Sequence, residues 1–156
     1  MLPLSGLPFR KISPLRIGLL ALVAALAGCN ASGGRGGMQI SDFVSYANAD
    51  LGRQNFANQT LSGVNFGGSI ADGVNFTRTN LEGAKFDSAY ANQTMFINAN
   101  LRRASFANAH LQKALFQGAD LTGANLDGAN VEGANFTGAT WTDGKVCKAN
   151  SIGDCK

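Results

Sequence analysis

The chain has 156 residues, a formal net charge of +3, one histidine and three cysteines. Residues 1–28 hold three of its 13 Lys/Arg and none of its 10 Asp/Glu, so the remainder is formally neutral. A neutral remainder excludes a strongly basic surface, and we expect no nucleic-acid partner. The carboxylates are scattered and His110 stands alone, so we expect no metal site, no cofactor, no small-molecule substrate and no enzymatic activity.

The N-terminal 28 residues are predicted to be an export signal. Basic residues precede the apolar run 17–27, which is too short to span a bilayer but is typical of a secretory signal. The sequence LAGC at 26–29 follows and resembles the bacterial lipobox. This resemblance implies that the lipoprotein signal peptide 1–28 is removed and that Cys29 is diacylated. An ordinary signal peptide with an incidental cysteine is the alternative.

Lipidation would anchor the protein in the cell envelope, because several acyl chains together hold a protein stably on a membrane. Asn30 follows the cysteine, where an aspartate would resemble an inner-membrane retention signal, so the outer membrane is favoured, on its periplasmic or surface face. Residues 29–40 are Gly-rich and are predicted to form the lipidated flexible tether. The expected partners are the membrane and an envelope protein, and a homodimer stays open.

Residues 41–48 are predicted to form an N-terminal cap, for which two structures remain open. Ser41 could N-cap a short helix, or the segment could be an irregular half-coil.

From residue 49 to residue 146 an apolar residue returns every five positions. Counting in fives from Leu51 to Val146 gives 20 such centres, of which only Ala71 and Ala91 are small. Five residues advance about 500° on an α-helix, and an odd step along a strand alternates its faces. A sharp turn must therefore follow each short extended piece. The pattern predicts a solenoid in which each unit buries its centre and the residue two positions earlier.

The pattern A(N/D)(L/F)xx over residues 49–146 resembles the pentapeptide-repeat family. The resemblance implies an all-β fold, a right-handed quadrilateral β-helix with four units per coil and about five coils at a rise of ~4.8 Å. Side chains 20 residues apart would then stack in columns. One predicted core column consists of Phe56, Phe76, Phe96, Phe116 and Phe136.

Residues 147–156 are predicted to form a C-terminal cap closed by a disulfide between Cys147 and Cys155. An exported chain meets oxidising conditions, and a cap would cover the strand edges of the last coil. A redox-active or metal-binding pair is the alternative, although the chain has no CxxC motif and a single histidine.

Apolar residues at outward positions suggest an interaction patch. The candidate patch consists of Ile70, Tyr90, Met95, Ile97 and Leu115. The alternative is that Ile70 or Tyr90 turns inward and fills the space beside Ala71 and Ala91, because a void costs stability.

These features together predict a non-catalytic, lipid-anchored envelope scaffold or protein-binding module. Some pentapeptide-repeat proteins resemble DNA and protect DNA gyrase, but those proteins are cytoplasmic and acidic. Export and neutral charge therefore disfavour the alternative of a DNA-mimicking, gyrase-interacting protein. An envelope enzyme using exposed Asp, Tyr or His side chains is the third hypothesis.

Overall fold

The computed structural model describes residues 44–156. The predicted signal peptide, the lipid site at Cys29, the tether and residues 41–43 of the predicted cap lie outside the described residues. Within residues 44–156 the chain forms no helix, and its β-structure consists of single bridges rather than longer strands. Sixteen parallel bridges join residues 20 positions apart, from Ser45 with Asn65 to Asp120 with Thr140.

Each coil contains four units, and the units of the inner coils bond to the coils on either side of them. The N–H of Phe76 donates to the C=O of Met95 at 2.8 Å, and the N–H of Met95 donates back to the C=O of Val74 at 2.9 Å. The same pair of bonds recurs with a step of five residues from the unit of Leu51 to the unit of Leu121. The ladder therefore satisfies backbone polar groups between the coils, although no long strand forms within residues 44–156.

The corners between units explain why the extended pieces stay short. The second residue after each centre has a positive φ at all 19 corners from Asn48 to Gly138. Nine of these corner residues are glycines, which adopt this left-handed conformation without steric cost. At a typical corner the N–H of Ala104 donates to the C=O of Leu101 at 3.1 Å, which closes a tight turn. One left-handed residue per unit thus turns the chain from each face to the next.

The four faces are defined by their stacked centres. Face 1 contains Tyr46, Phe66, Phe86, Phe106 and Leu126; face 2 contains Leu51, Ala71, Ala91, Leu111 and Val131; face 3 contains Phe56, Phe76, Phe96, Phe116 and Phe136; and face 4 contains Leu61, Leu81, Leu101, Leu121 and Trp141. On face 3 the rings of Phe76 and Phe96 are stacked with centroids 5.4 Å apart, and those of Phe96 and Phe116 lie 4.9 Å apart. Phe86 and Phe106 of face 1 meet Phe96 edge-on. The core is therefore a continuous aromatic stack built from faces 1 and 3, which lie opposite each other in the coil.

The first described residues already belong to the coil. Tyr46 is buried, its ring stacks on that of Phe66 at 5.2 Å, and Asn48 forms the following corner with a φ of +58°. Residues 44–48 thus form a unit of the repeat, so of the two structures left open for the cap the helix does not occur in this part.

The last coil ends differently from the prediction. The chain reverses at Asp143–Gly144, and residues beyond it pair antiparallel with the coil, Val146 with Thr140 and Ile152 with Asn135. Val146 is 67% exposed, so its prediction as the twentieth inward centre is wrong. The tight reversal, in which the N–H of Trp141 donates to the C=O of Lys145 at 2.7 Å, turns Val146 outward.

The returning segment covers only half of the last coil. Ser151 and Cys147 are buried in it, and a disulfide joins Cys147 to Cys155 with a Cα–Cα distance of 5.0 Å. This segment lies over faces 3 and 4, whereas Leu126 of face 1 and Val131 of face 2 remain only partly buried.

Candidate interaction surface

A stripe of large side chains runs along face 2. Its outward positions are Asp50, Ile70, Tyr90, His110 and Asn130, joined in sequence by parallel bridges. Ile70 and Tyr90 are each 48% exposed. The rings of Tyr90 and His110 stack with centroids 4.7 Å apart and an interplanar angle of 1°. The bridge spacing therefore places three large side chains, Ile70, Tyr90 and His110, side by side on one surface; we call them the face 2 stripe.

The backbone ladder keeps Ile70 and Tyr90 pointing outward. The N–H of Ile70 donates to the C=O of Ala49, and that of Tyr90 donates to the C=O of Ser69, both at 2.9 Å. Neighbouring residues of an extended piece point to opposite sides, so the burial of Ala71 and Ala91 forces the residue before each of them outward. The alternative in which Ile70 or Tyr90 fills the space beside the alanines does not occur.

The other members of the predicted patch are less accessible. Met95 and Leu115 are bridged to each other on face 3, the next face along the chain, and both are only partly exposed. Ile97 occupies the corner after face 3 and is also only partly exposed. Among the described residues the strongly exposed large apolar side chains are Ile70, Tyr90, Val146 and Ile152. The structure thus divides the predicted patch, and its accessible part is the face 2 stripe.

Val146 and Ile152 were missed because the five-residue frame cannot predict a chain reversal. The signal in the sequence was Asp143-Gly144, where Gly144 adopts a φ of +86° that suits a turn.

A shallow notch lies at the corner between faces 2 and 3, beside the stripe. It has a volume of about 280 Å³ and is lined by Arg53, Asp72, Gly73, Asn92 and Gln93. Asp72 accepts a hydrogen bond from the N–H of Asn92 at 2.8 Å, which fixes the wall of the notch. The surface next to the face 2 stripe is therefore polar and carries both signs of charge.

The charged side chains of face 4 pair with one another. Arg102 Nη1 lies 3.1 Å from Asp120 Oδ2, and Arg103 Nη1 lies 3.6 Å from Glu82 Oε1. Partial burial acts to raise the pKa of Asp120, but hydrogen bonds from Thr122 and Arg102 outweigh burial and lower that pKa below its usual range. The two arginines therefore have acidic partners and do not form an isolated basic spot.

Two features are absent from the described part of the chain, clusters of metal ligands and membrane-spanning helices. No three His, Cys, Asp or Glu side chains within residues 44–156 are grouped closely enough to hold a metal ion. In the same residues no helix has the length and hydropathy needed to cross a bilayer.

Comparison with known families identifies the repeat. A model described as a pentapeptide repeat region matches residues 41–116, and a model of pentapeptide repeats in eight copies matches residues 99–138. Together they cover more than half of the chain. The chain is a pentapeptide repeat protein. Proteins of this family form right-handed quadrilateral β-helices, and the 20-residue bridge spacing of this member fits that architecture.

Solved structures of other pentapeptide repeat proteins resemble this one. A protein from the cyanobacterium Cyanothece has 29% identity and a TM-score of 0.58, with 60% of this chain and 64% of that chain covered. A protein from the Arabidopsis thaliana thylakoid lumen has 28% identity and a TM-score of 0.40, with 80% of this chain and 92% of that chain covered. A plasmid-mediated fluoroquinolone resistance protein, QnrB1, has 24% identity and a TM-score of 0.40, with 67% of this chain and 57% of that chain covered.

No curated protein sequence matches this pentapeptide repeat protein. It spans 64% of the length of the Cyanothece chain, so likeness to that chain extends to its coils and not to a whole-protein activity. Pentapeptide repeat proteins are generally structural or binding proteins rather than enzymes.

Proposed function

We propose that this pentapeptide repeat protein is a non-catalytic binding module or scaffold of the cell envelope, anchored by a diacylated Cys29. The coils would form a rigid support, and the face 2 stripe would contact a protein partner. The observation that carries the proposal is the stack of Tyr90 on the partly exposed His110 beside Ile70. Tyr90 and Ile70 are exposed on a surface of otherwise mostly polar side chains.

The stripe suits protein binding for two physical reasons. Aromatic side chains bury a large area with few rotatable bonds, and they are enriched at protein interfaces. The backbone ladder fixes the positions of Tyr90 and His110, and their rings already stack on each other. Little conformational entropy should therefore be lost when a partner binds. A preformed stripe of this kind is expected to act as the anchor of a small interface.

The anchor and the stripe would act together. The first described residues form the beginning of the first coil, and only residues 41–43 separate them from the predicted tether in the sequence. A tether of about ten Gly-rich residues behaves as a flexible chain whose ends lie on the order of 20 Å apart. The lipid would thus keep the coils near the membrane surface.

The anchor is tested by fractionation of cells that produce the parent protein or Cys29→Ala. We expect the parent to sediment with the outer membrane and Cys29→Ala to be released to soluble fractions. Sedimentation of Cys29→Ala with membranes through its own N-terminal segment would show that the anchor assignment is wrong.

The stripe is tested by proximity labelling in the native cell with the parent and with Tyr90→Asp. Lys85→Asp is the matched control, because Lys85 occupies the same exposed bridge position on face 1. We expect the parent and Lys85→Asp to label the same envelope protein to the same extent. Tyr90→Asp should label that protein at least about tenfold less, which is the loss typical of an interface anchor. Equal labelling by all three proteins would exclude the stripe as the contact.

The charge distribution gives no support to the alternative of a DNA mimic. Residues 44–156 contain nine Lys/Arg and nine Asp/Glu, and several of them are paired across coils. A DNA mimic requires a continuous anionic surface, which a balanced set of charges does not provide.

A further inference from the structure

Three Asp-Gly pairs lie at turns of the chain: Asp72–Gly73, Asp127–Gly128 and Asp143–Gly144. In such a pair the glycine nitrogen can attack the aspartate side-chain carbon, because glycine has no side chain to obstruct the approach. The attack requires a nitrogen that is released from its hydrogen bond and a carboxyl group that can rotate towards it. The three pairs differ sharply in both respects.

The pair Asp72–Gly73 is held on both sides. The N–H of Gly73 donates to the C=O of Asn92 at 2.9 Å, so the nitrogen belongs to the ladder between coils. One carboxylate oxygen of Asp72 accepts from the N–H of Asn92 at 2.8 Å. Attack at this pair requires separation of two adjacent coils.

The pair Asp143–Gly144 is held by its own turn. The N–H of Gly144 donates to the C=O of Trp141 at 2.9 Å. The Asp143 carboxylate accepts from the N–H of Lys145 at 3.0 Å and lies 2.7 Å from Lys145 Nζ. The side-chain bond from Lys145 is the largest of the effects that hold the pKa of Asp143 below its usual range. Protonation of the carboxyl group, which must precede loss of water, is therefore disfavoured.

The pair Asp127–Gly128 has none of these contacts. It lies at the corner between faces 1 and 2 of the last coil, which the returning segment leaves uncovered. Its C=O accepts from Asn108 below at 2.9 Å, but the N–H of Gly128 donates to no residue among 44–156. The Asp127 side chain is exposed and makes no hydrogen bond or ion pair to the described residues.

We propose that Asp127–Gly128 is a site of spontaneous isomerisation to isoaspartate, and that the fold confines this reaction to the uncovered corner of the last coil. The Gly128 nitrogen forms a bond to Cγ of protonated Asp127, and the amide proton and the carboxyl OH leave together as water. Water then opens the cyclic imide at the former backbone carbonyl. The chain now passes through Cγ, a carboxylate remains on Cα, and the composition is unchanged.

The product inserts one methylene group into the backbone at a corner whose unit must contain five residues. The lengthened unit can no longer place Leu126 and Val131 in register with the coil below. Because no other coil among residues 44–156 lies above this corner, the damage is confined to the last coil and its bonds with the coil below, and the lower coils keep the bonds between them.

The test is incubation of the full-length protein at neutral pH and 37 °C, followed by proteolysis and identification of isoaspartate at each Asp-Gly pair by mass spectrometry. We expect isoaspartate at Asp127 to form at least about tenfold faster than at Asp72 or Asp143, because weakly held segments open far more often than bonded ones. Asp127→Glu is the control for assignment and should remove the signal from that peptide alone.

The same incubation in denaturant separates the effect of fold from that of local sequence. There all three pairs should react at similar rates, since each is simply aspartate followed by glycine. Equal rates in the folded protein, or isoaspartate at Asp127 in denaturant but not in the folded protein, would overturn the proposal. The outcome is independent of the lipid anchor and of the face 2 stripe.

Discussion

Replacement of Phe96 by alanine should remove a large part of the stability of the coils. Phe96 is fully buried, stacked between two rings of face 3 at 5.4 and 4.9 Å and met edge-on by two rings of face 1. A buried Phe→Ala change costs about 3–5 kcal/mol, and each aromatic pair contributes roughly 0.5–1.5 kcal/mol beyond its area. Four lost pairs place the expected loss near the upper limit, about 5 kcal/mol.

The assay is equilibrium unfolding of the oxidised protein in guanidinium chloride, followed by circular dichroism. Phe96→Leu removes less volume but loses the same four ring pairs, so it should cost less than Phe96→Ala but still about 2 kcal/mol or more. Tyr90→Ala, on the surface, should cost less than about 1 kcal/mol, because its side chain is half exposed. If Phe96→Ala is no more destabilising than Tyr90→Ala, the stacked core does not exist as described.

Three other predictions concern the corners, the cap and acid stability. Gly83→Ala should cost about 1 kcal/mol through its positive φ alone. Gly118→Ala should cost more, because its new methyl group would also meet the side chain of Asn98. The melting temperatures of the two variants, measured by thermal unfolding, test this difference. Reduction of the cap disulfide should cost about 2–3 kcal/mol, measured as a lower melting temperature in the presence of reductant. Because the pKa of Asp120 is lowered by folding, its carboxylate adds stability to the folded state. This contribution is complete at pH values above the unfolded pKa of 3.8, and it is lost as the pH falls through the lower pKa of the folded state. Asp120→Asn should therefore lose less stability than the parent on titration through that range, and an equal loss would exclude the contribution.

The periodic part of the fold was predictable because one rule acts on every unit. Each five-residue unit places its centre inward and one residue in a left-handed turn, so the frame counted from Leu51 predicts which side chains are buried from Phe56 to Leu121. The frame also shows why residues such as Arg78 and Lys113 adopt a positive φ, since their position in the unit, rather than their side chain, determines the conformation.

The ends of the coils were less predictable because a unit there has a neighbouring coil on one side only. Val146 satisfies the frame, but the residues that follow it fold back on the last coil instead of forming another, after a tight turn at Gly144. Similarly, Tyr46 was assigned to a cap although it stacks in the column of Phe66. Side-chain chemistry alone did not distinguish a final repeat from a reversal.

The interaction surface was predictable in part for the same reason. The frame indicates that Ile70 and Tyr90 precede a centre and point outward, and it also places His110 in their column. It does not give the depth at which an outward side chain lies, which depends on its neighbours across the corner. Met95 and Leu115 were therefore grouped with exposed residues although both are partly buried.

Cysteine cross-linking across coils measures whether residues 20 apart are neighbours in space. Asn80 and Asn100 are bridged, and the amide of Asn100 donates to that of Asn80 at 3.0 Å, so Asn80→Cys with Asn100→Cys should form a disulfide on mild oxidation. The pair Lys85→Cys with Asn100→Cys, on different faces, should remain reduced. Cross-linking of both pairs to the same extent, or of neither, would contradict the four-unit coil on which the burial, the stripe and the uncovered corner all depend.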